Sequence, residues 1–140
     1  MAPGGRFRGT ARPGRYGARV IMTVAVLACV LLAALAVFQG LLVAGAPLGR
    51  FAWGGQYRVL PTGLRIGSVV SIATYVLFAV VLLAAARQAG GVADVAVWVL
   101  TGWFVLGIGL NAISRSRPER LVMTPVVLVL AACCLLIALD

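Results

Sequence analysis

Asn111-Ala-Ile-Ser-Arg-Ser-Arg-Pro-Glu-Arg120 is a short polar turn between two long apolar runs. The first run begins at Val92 and ends at Ile113, and the second ends at Leu139. Three arginines and one of the chain's three acidic residues lie in the turn. Each run has about the 20 apolar residues that a helix needs to cross a bilayer. The stretch therefore predicts the tip of a transmembrane helical hairpin.

Within this turn, Ser116 and Glu119 have the spacing of a capping box. In that motif the serine side chain accepts from the N–H three residues later, and the glutamate reaches back to the serine N–H. Pro118 is compatible with a helix start because the first-turn amides have no intrahelical partner. We therefore expect Ser116 and Glu119 to form the structural cap of a helix beginning near Arg117, and Pro125 to kink that helix mildly.

The whole composition points to the membrane. Hydrophobic residues make up 63% of the chain and the mean hydropathy is +1.10, whereas soluble domains are about 45–50% apolar. Residues 20–140 contain four runs of membrane-spanning length, with predicted spans at 20–46, 66–86, 92–113 and 118–139. The predicted fold is an all-α integral membrane four-helix bundle, preceded by a disordered basic tail at residues 1–19.

The net charge of +9 comes from arginine, because the chain has no lysine or histidine. The arginines lie in the tail and between the apolar runs, so anionic lipid headgroups are the expected partners and nucleic acid is not. The tail is expected to orient the first helix, with a tether to lipid or to a partner as the alternative. The sequence Ala44-Gly45-Ala46 leaves open a cleaved signal peptide, but the first run is too long for one, so we expect it to be retained.

The connection at residues 47–65 contains helix breakers, including Pro47, Gly49, Pro61 and Gly63. Its aromatic residues alternate with arginines, which is typical of the membrane interface, although a ligand-binding loop has the same composition. We expect four aromatic side chains to lie at the interface: Trp53, Tyr57, Trp98 and Trp103.

A few polar residues fall inside the predicted spans and could form a polar intramembrane face: Gln39, Ser71, Thr74, Tyr75 and Asn111. Such groups either hydrogen-bond within and between helices or line a path for a polar solute. None is ionisable in the way that proton-coupled transport requires. Small residues also recur at helical spacing in the first and third spans, which favours close helix packing.

The sequence offers no catalytic, cofactor-binding or metal-binding residues. Histidine is absent, and Asp94, Glu119 and Asp140 all lie near predicted membrane surfaces, so no carboxylate pair is formed. Cys29, Cys133 and Cys134 have neither C-x-x-C nor zinc spacing. We therefore expect no enzymatic activity and no cofactor.

Two segments, FAWGGQYRVLPTGLRIGS (51–68) and LNAISRSRPERLVMTPVVLVLAA (110–132), carry a resemblance. They resemble an uncharacterised family of small four-helix bacterial integral membrane proteins, with an aromatic W-G-G loop and an N-x-x-S-R-S hairpin tip. The resemblance covers about residues 48–139 and implies the architecture, but it implies no activity.

These observations predict a multi-pass protein of the bacterial cell membrane. Its expected role is that of an accessory or structural protein that packs with itself or with a larger membrane partner. The alternative is an oligomeric small-solute transporter or channel without proton coupling. Four spans place both termini on one side, and the arginines before the first helix favour the cytoplasm.

Overall fold

The structure, a computed structural model, describes residues 16–87 and 91–140. Its four long helices are α1 (Ala18–Val43), α2 (Thr62–Arg87), α3 (Val92–Ala112) and α4 (Arg117–Ala138). Each is long and apolar enough to cross a membrane, so the predicted all-α architecture of four membrane-length helices is confirmed. Residues 1–15, most of the predicted tail, lie outside the described residues, while Ala18 and Arg19 already belong to α1.

Helix α1 ends at Val43, before the predicted boundary at residue 46, because Gly45 reverses the backbone. Gly45 has a φ of 90°, a left-handed conformation that glycine adopts without steric cost. Its N–H donates to the Leu42 carbonyl at 3.1 Å, and the Ala46 N–H donates to the Leu41 carbonyl at 2.9 Å. This pair of bonds is a Schellman motif, which satisfies carbonyls that the helix end would otherwise leave unpaired.

Helix α2 begins at Thr62, one turn before the predicted residue 66, because Pro61 starts the helix instead of breaking the chain. The Pro61 carbonyl accepts from the Leu64 N–H at 3.0 Å and from the Arg65 N–H at 3.1 Å. A proline suits this place, immediately before the first helical residue, because an N–H there would have no intrahelical partner.

The helices form two antiparallel hairpins, α1–α2 and α3–α4, which meet mainly where α1 packs against α4. One large apolar core lies at the end of the bundle where α1 begins and α4 ends. It includes Ala25, Leu32, Leu82, Leu130 and Cys134, all of which are almost fully buried. Phe78 of α2 joins this core to α3 by an edge-to-face contact with Phe104, at 5.6 Å between ring centroids.

A second, smaller core lies at the opposite end, beneath the connection between α1 and α2. Leu42, Ala52 and Leu60 are buried there, and Phe38, Leu48 and Leu64 pack around them. We call residues 44–61 the first loop. Two 3-10 turns, Gly49–Phe51 and Trp53–Gly55, give it a compact form. The first loop is therefore an ordered element with its own apolar interior, positioned over the α3–α4 turn.

Candidate functional site

The first loop is attached to the start of α4 by a buried carboxylate. Glu119 is only 8% exposed, and its Oε2 accepts from the Gly54 N–H at 3.1 Å. The Ser114 hydroxyl donates to the same oxygen. A buried carboxylate is stable only when hydrogen bonds replace its water, and here the donors come from two separate parts of the chain.

Ser116 holds the same junction from the other side. Its Oγ accepts from the Glu119 N–H at 3.4 Å, which makes Ser116 the N-cap of α4. Its hydroxyl donates to the Arg50 carbonyl in the first loop. One residue therefore caps a helix and holds a loop that precedes it by 66 positions. We refer to Arg50, Gly54, Ser114, Ser116 and Glu119 as the loop clamp.

The return bond expected of a capping box is not made. The Ser116 N–H donates to the Ser114 Oγ at 3.2 Å instead of to the Glu119 carboxylate. The reason is competition, because the carboxylate is oriented towards the first loop, where the Gly54 N–H has no helical partner. Ser116 thus caps the helix as expected, whereas the Glu119 side chain bonds to the first loop instead of to the Ser116 N–H.

The W-G-G sequence gives the loop the shape that this contact requires. Trp53, Gly54 and Gly55 all have left-handed φ angles, of 55°, 77° and 68°. A Cβ on Gly55 would lie 2.5 Å from the Ser116 Cβ, so this glycine is needed both for its conformation and for the close approach. The loop backbone lies directly against the hairpin tip.

The Trp53 ring fixes the other edge of the loop to α2. A Cβ on Gly67 would lie 2.8 Å from the Trp53 Cη2 atom, so the ring packs directly against this glycine. The Trp53 Nε1–H donates to the Oγ of Ser68, which is fully buried, at 3.4 Å. Trp53 was expected at the membrane interface. The structure places it in a tertiary contact with 41% of its surface exposed.

Most of the polar intramembrane residues bond within their own helices, and whether they form one polar face stays a prediction. Three of them bond to the carbonyl four residues earlier in their own helix: Ser71 to Gly67 (3.0 Å), Thr74 to Val70 (2.9 Å) and Asn111 to Gly107 (2.8 Å). Such bonds satisfy the side chain without a neighbouring helix. Only Gln39 and Tyr75 interact across helices, yet the Gln39 Oε1 is left without a hydrogen-bond partner.

The remaining aromatic residues lie at different depths. Tyr57 is exposed on the first loop, and Trp98 is exposed near the start of α3. Trp103 lies halfway along α3, about 17 Å from its start at 1.5 Å per residue, with its ring edge-to-face against Phe78. The interfacial placement of all four aromatic side chains stays a prediction.

Within the described residues, no three His, Cys, Asp or Glu side chains form a group that could hold a metal ion. Cys133 and Cys134 lie in the apolar core of the bundle. The expectation of no enzymatic activity stays a prediction.

Sequence reasoning named Ser116, Glu119 and Trp53, but it missed their shared site and missed Ser114, Gly67 and Ser68. The available signal was the pair of glycines after Trp53, which indicates close backbone approach but does not identify the surface approached.

No protein-family model, curated protein or solved structure matches this chain.

Proposed function

We propose that the protein is a non-enzymatic, multi-pass protein of the bacterial cell membrane that acts as a structural or accessory subunit. What supports this is that the uncharged polar groups are largely used within the protein: the loop clamp bonds those of the loop end, and most intramembrane hydroxyls are bonded within their own helices. Within the membrane-spanning helices, what remains available to a protein partner is mainly apolar surface.

The observation that carries the proposal is an open glycine face on α3. Gly102 and Gly109 are exposed, and a Cβ at either position would meet nothing within 4 Å. They are two helical turns apart, with exposed Leu106 between them, so all three share one face. In the same helix Gly107 already packs against α4, because a Cβ added to it would lie 3.2 Å from the Val127 side chain.

Open glycines have a physical use in a bilayer. Lipid tails are as apolar as leucine, so helices associate through close packing, which small residues allow. Glycine in a helix otherwise costs about 0.5–1 kcal/mol relative to alanine. A face that combines two such residues with exposed apolar side chains is suited to another transmembrane helix, either of a second copy or of a larger membrane protein.

Photo-crosslinking in native membranes tests this proposal. A photoreactive phenylalanine analogue at Leu106 should give a discrete band, at twice the protomer mass for self-association or higher for a larger partner. The same analogue at Val76, which is similarly exposed on α2, is the matched control and should give none. Gly102→Leu should weaken the band about tenfold, equivalent to 1.4 kcal/mol of association, whereas Ala73→Leu on α2 should not. No discrete band from Leu106 would contradict the proposal.

A second candidate, an oligomeric small-solute channel without proton coupling, is favoured by one observation. The Gln39 Oε1 is buried without a partner, and an unsatisfied buried acceptor costs about 1–3 kcal/mol. An oligomer that brings a polar path to Gln39 would remove that cost. Liposomes that contain the protein should pass glycerol or urea faster than empty liposomes if this is its function, and Gln39→Leu should abolish the difference. We expect no difference.

A further inference from the structure

An apolar groove lies between α1 and α4, directly beneath the first loop. Its volume is about 310 Å³, at the lower end of the range of about 300–1,000 Å³ found for ligand sites. Its walls are almost entirely apolar and one side is open. Its lining includes Ala34 and Phe38 of α1, Phe51 of the first loop, and Met123 of α4.

The groove begins at the depth of the loop and continues into the hydrocarbon region. Its α1 wall extends from Leu31 to Phe38, which is about 10 Å of helix at 1.5 Å per residue. Its α4 wall, from Val122 to Val126, lies about one and a half to two and a half turns inside the helix start. Phe51 closes the loop end. The groove is therefore elongated along the bundle and has its mouth at headgroup level.

The mouth of the groove is positively charged. The Arg50 guanidinium lies over the Phe51 ring, 4.8 Å from its centroid, and Arg50 is exposed. Three further exposed arginines lie at the same end of the bundle, Arg115 in the α3–α4 turn and Arg117 and Arg120 in the first turn of α4. The acidic residue of this turn, Glu119, is buried and already bonded to Gly54 and Ser114. The four arginines outnumber this single carboxylate, so the loop end of the groove keeps a net positive charge.

An apolar slot below a cationic rim matches the two parts of an anionic phospholipid. Arginine binds phosphate by charge-assisted hydrogen bonds, and a basic pocket between transmembrane helices at headgroup level is a recurring lipid site. A second copy of the chain is a poorer occupant, because a parallel copy would bring its own arginines to the same level. We propose that the groove holds one acyl chain of an anionic phospholipid whose phosphate lies against Arg50.

Native mass spectrometry of the protein released from detergent micelles tests the proposal. The probes are phosphatidylglycerol and phosphatidylcholine with identical acyl chains. The protein should retain one phosphatidylglycerol molecule, with a preference over phosphatidylcholine of about fivefold for each arginine that contacts the phosphate. Arg50→Gln should lower that preference about fivefold, while its backbone carbonyl still serves the clamp. Arg58→Gln, on the same loop but away from the groove, should not.

A tryptophan that fills the groove distinguishes lipid bound in this site from lipid bound elsewhere around the bundle. Ala34→Trp places a large side chain in the groove and should abolish retention of both lipids. Ala33→Trp, exposed on the same helix but outside the lining, should retain them as the unaltered protein does. Equal retention by both tryptophan variants, or equal retention of the two lipids by the unaltered protein, would overturn the proposal. A change of oligomeric state in Ala34→Trp with lipid retention intact would assign the groove to protein contact and overturn it as well.

Discussion

At the scale of single residues, Glu119 has the largest consequence for the fold. It is one of three acidic residues in the chain, and it is buried between two elements. Hydrogen bonds to a charged group contribute about 1.5–3 kcal/mol, and removal of one partner leaves the others unsatisfied. Replacing the carboxylate would therefore leave the Gly54 N–H and the Ser114 hydroxyl without acceptors.

A double-mutant cycle distinguishes the loop clamp from a reciprocal capping box. Ser116→Ala should cost about 0.5–2 kcal/mol through loss of the N-cap. Ser114→Ala and Glu119→Ala should couple by at least about 0.5 kcal/mol, because their side chains bond to each other. Ser116→Ala and Glu119→Ala should couple less, because Ser116 accepts from the Glu119 backbone, which alanine retains. The free energy of unfolding in detergent measures both couplings. Stronger coupling in the Ser116 pair would restore the capping-box interpretation.

At the scale of elements, the sequence predicted the helices far better than the contacts between them. Apolar run length is a local property, and it located all four helices. The first loop was predicted as an interfacial segment and the Ser116 turn as a separate cap. The bond that joins them links residues 65 positions apart, and periodicity in one sequence carries no information on such pairs. For the same reason, Trp53 could be recognised as an amphipathic side chain but not placed on Gly67.

Two glycines of α2 offer a matched test of the contact between the Trp53 ring of the first loop and α2. Gly63 faces open space, so Gly63→Ala should stabilise the protein by up to about 0.5–1 kcal/mol through helix propensity. Gly67→Ala should destabilise it by about 1–3 kcal/mol, because the new methyl group displaces the Trp53 ring. Thermal unfolding in detergent gives both values. In a Trp53→Ala background the penalty of Gly67→Ala should vanish, and a penalty that persists there would show that the ring contact is not its cause.

At the scale of the whole molecule, the two hairpins give the bundle two distinct ends. The first loop and the α3–α4 turn form one end. At the other, the Tyr16 N–H donates to the Asp140 Oδ1 at 2.5 Å, so the start of α1 and the end of α4 are together. Six arginines lie at the loop end, in the connections or in the first turns of α2 and α4, at positions 50, 58, 65, 115, 117 and 120. Five arginines before residue 20, together with Arg87, give the same number on the other side, so the positive-inside rule favours neither orientation.

The first helix usually sets topology, and the five arginines before it favour a cytoplasmic position for both termini. Cysteine labelling of intact bacterial cells with a membrane-impermeant maleimide checks this prediction. Gln56→Cys lies on the exposed surface of the first loop and should react, whereas a cysteine added after Asp140 should react only after the cells are lysed. Cys133 and Cys134 are buried, and Cys29 lies within α1, so the native background should be low. The opposite pattern would reverse the orientation. It would put the loop clamp and the cationic mouth of the groove at the cytoplasmic leaflet, where anionic lipids raise the local negative potential.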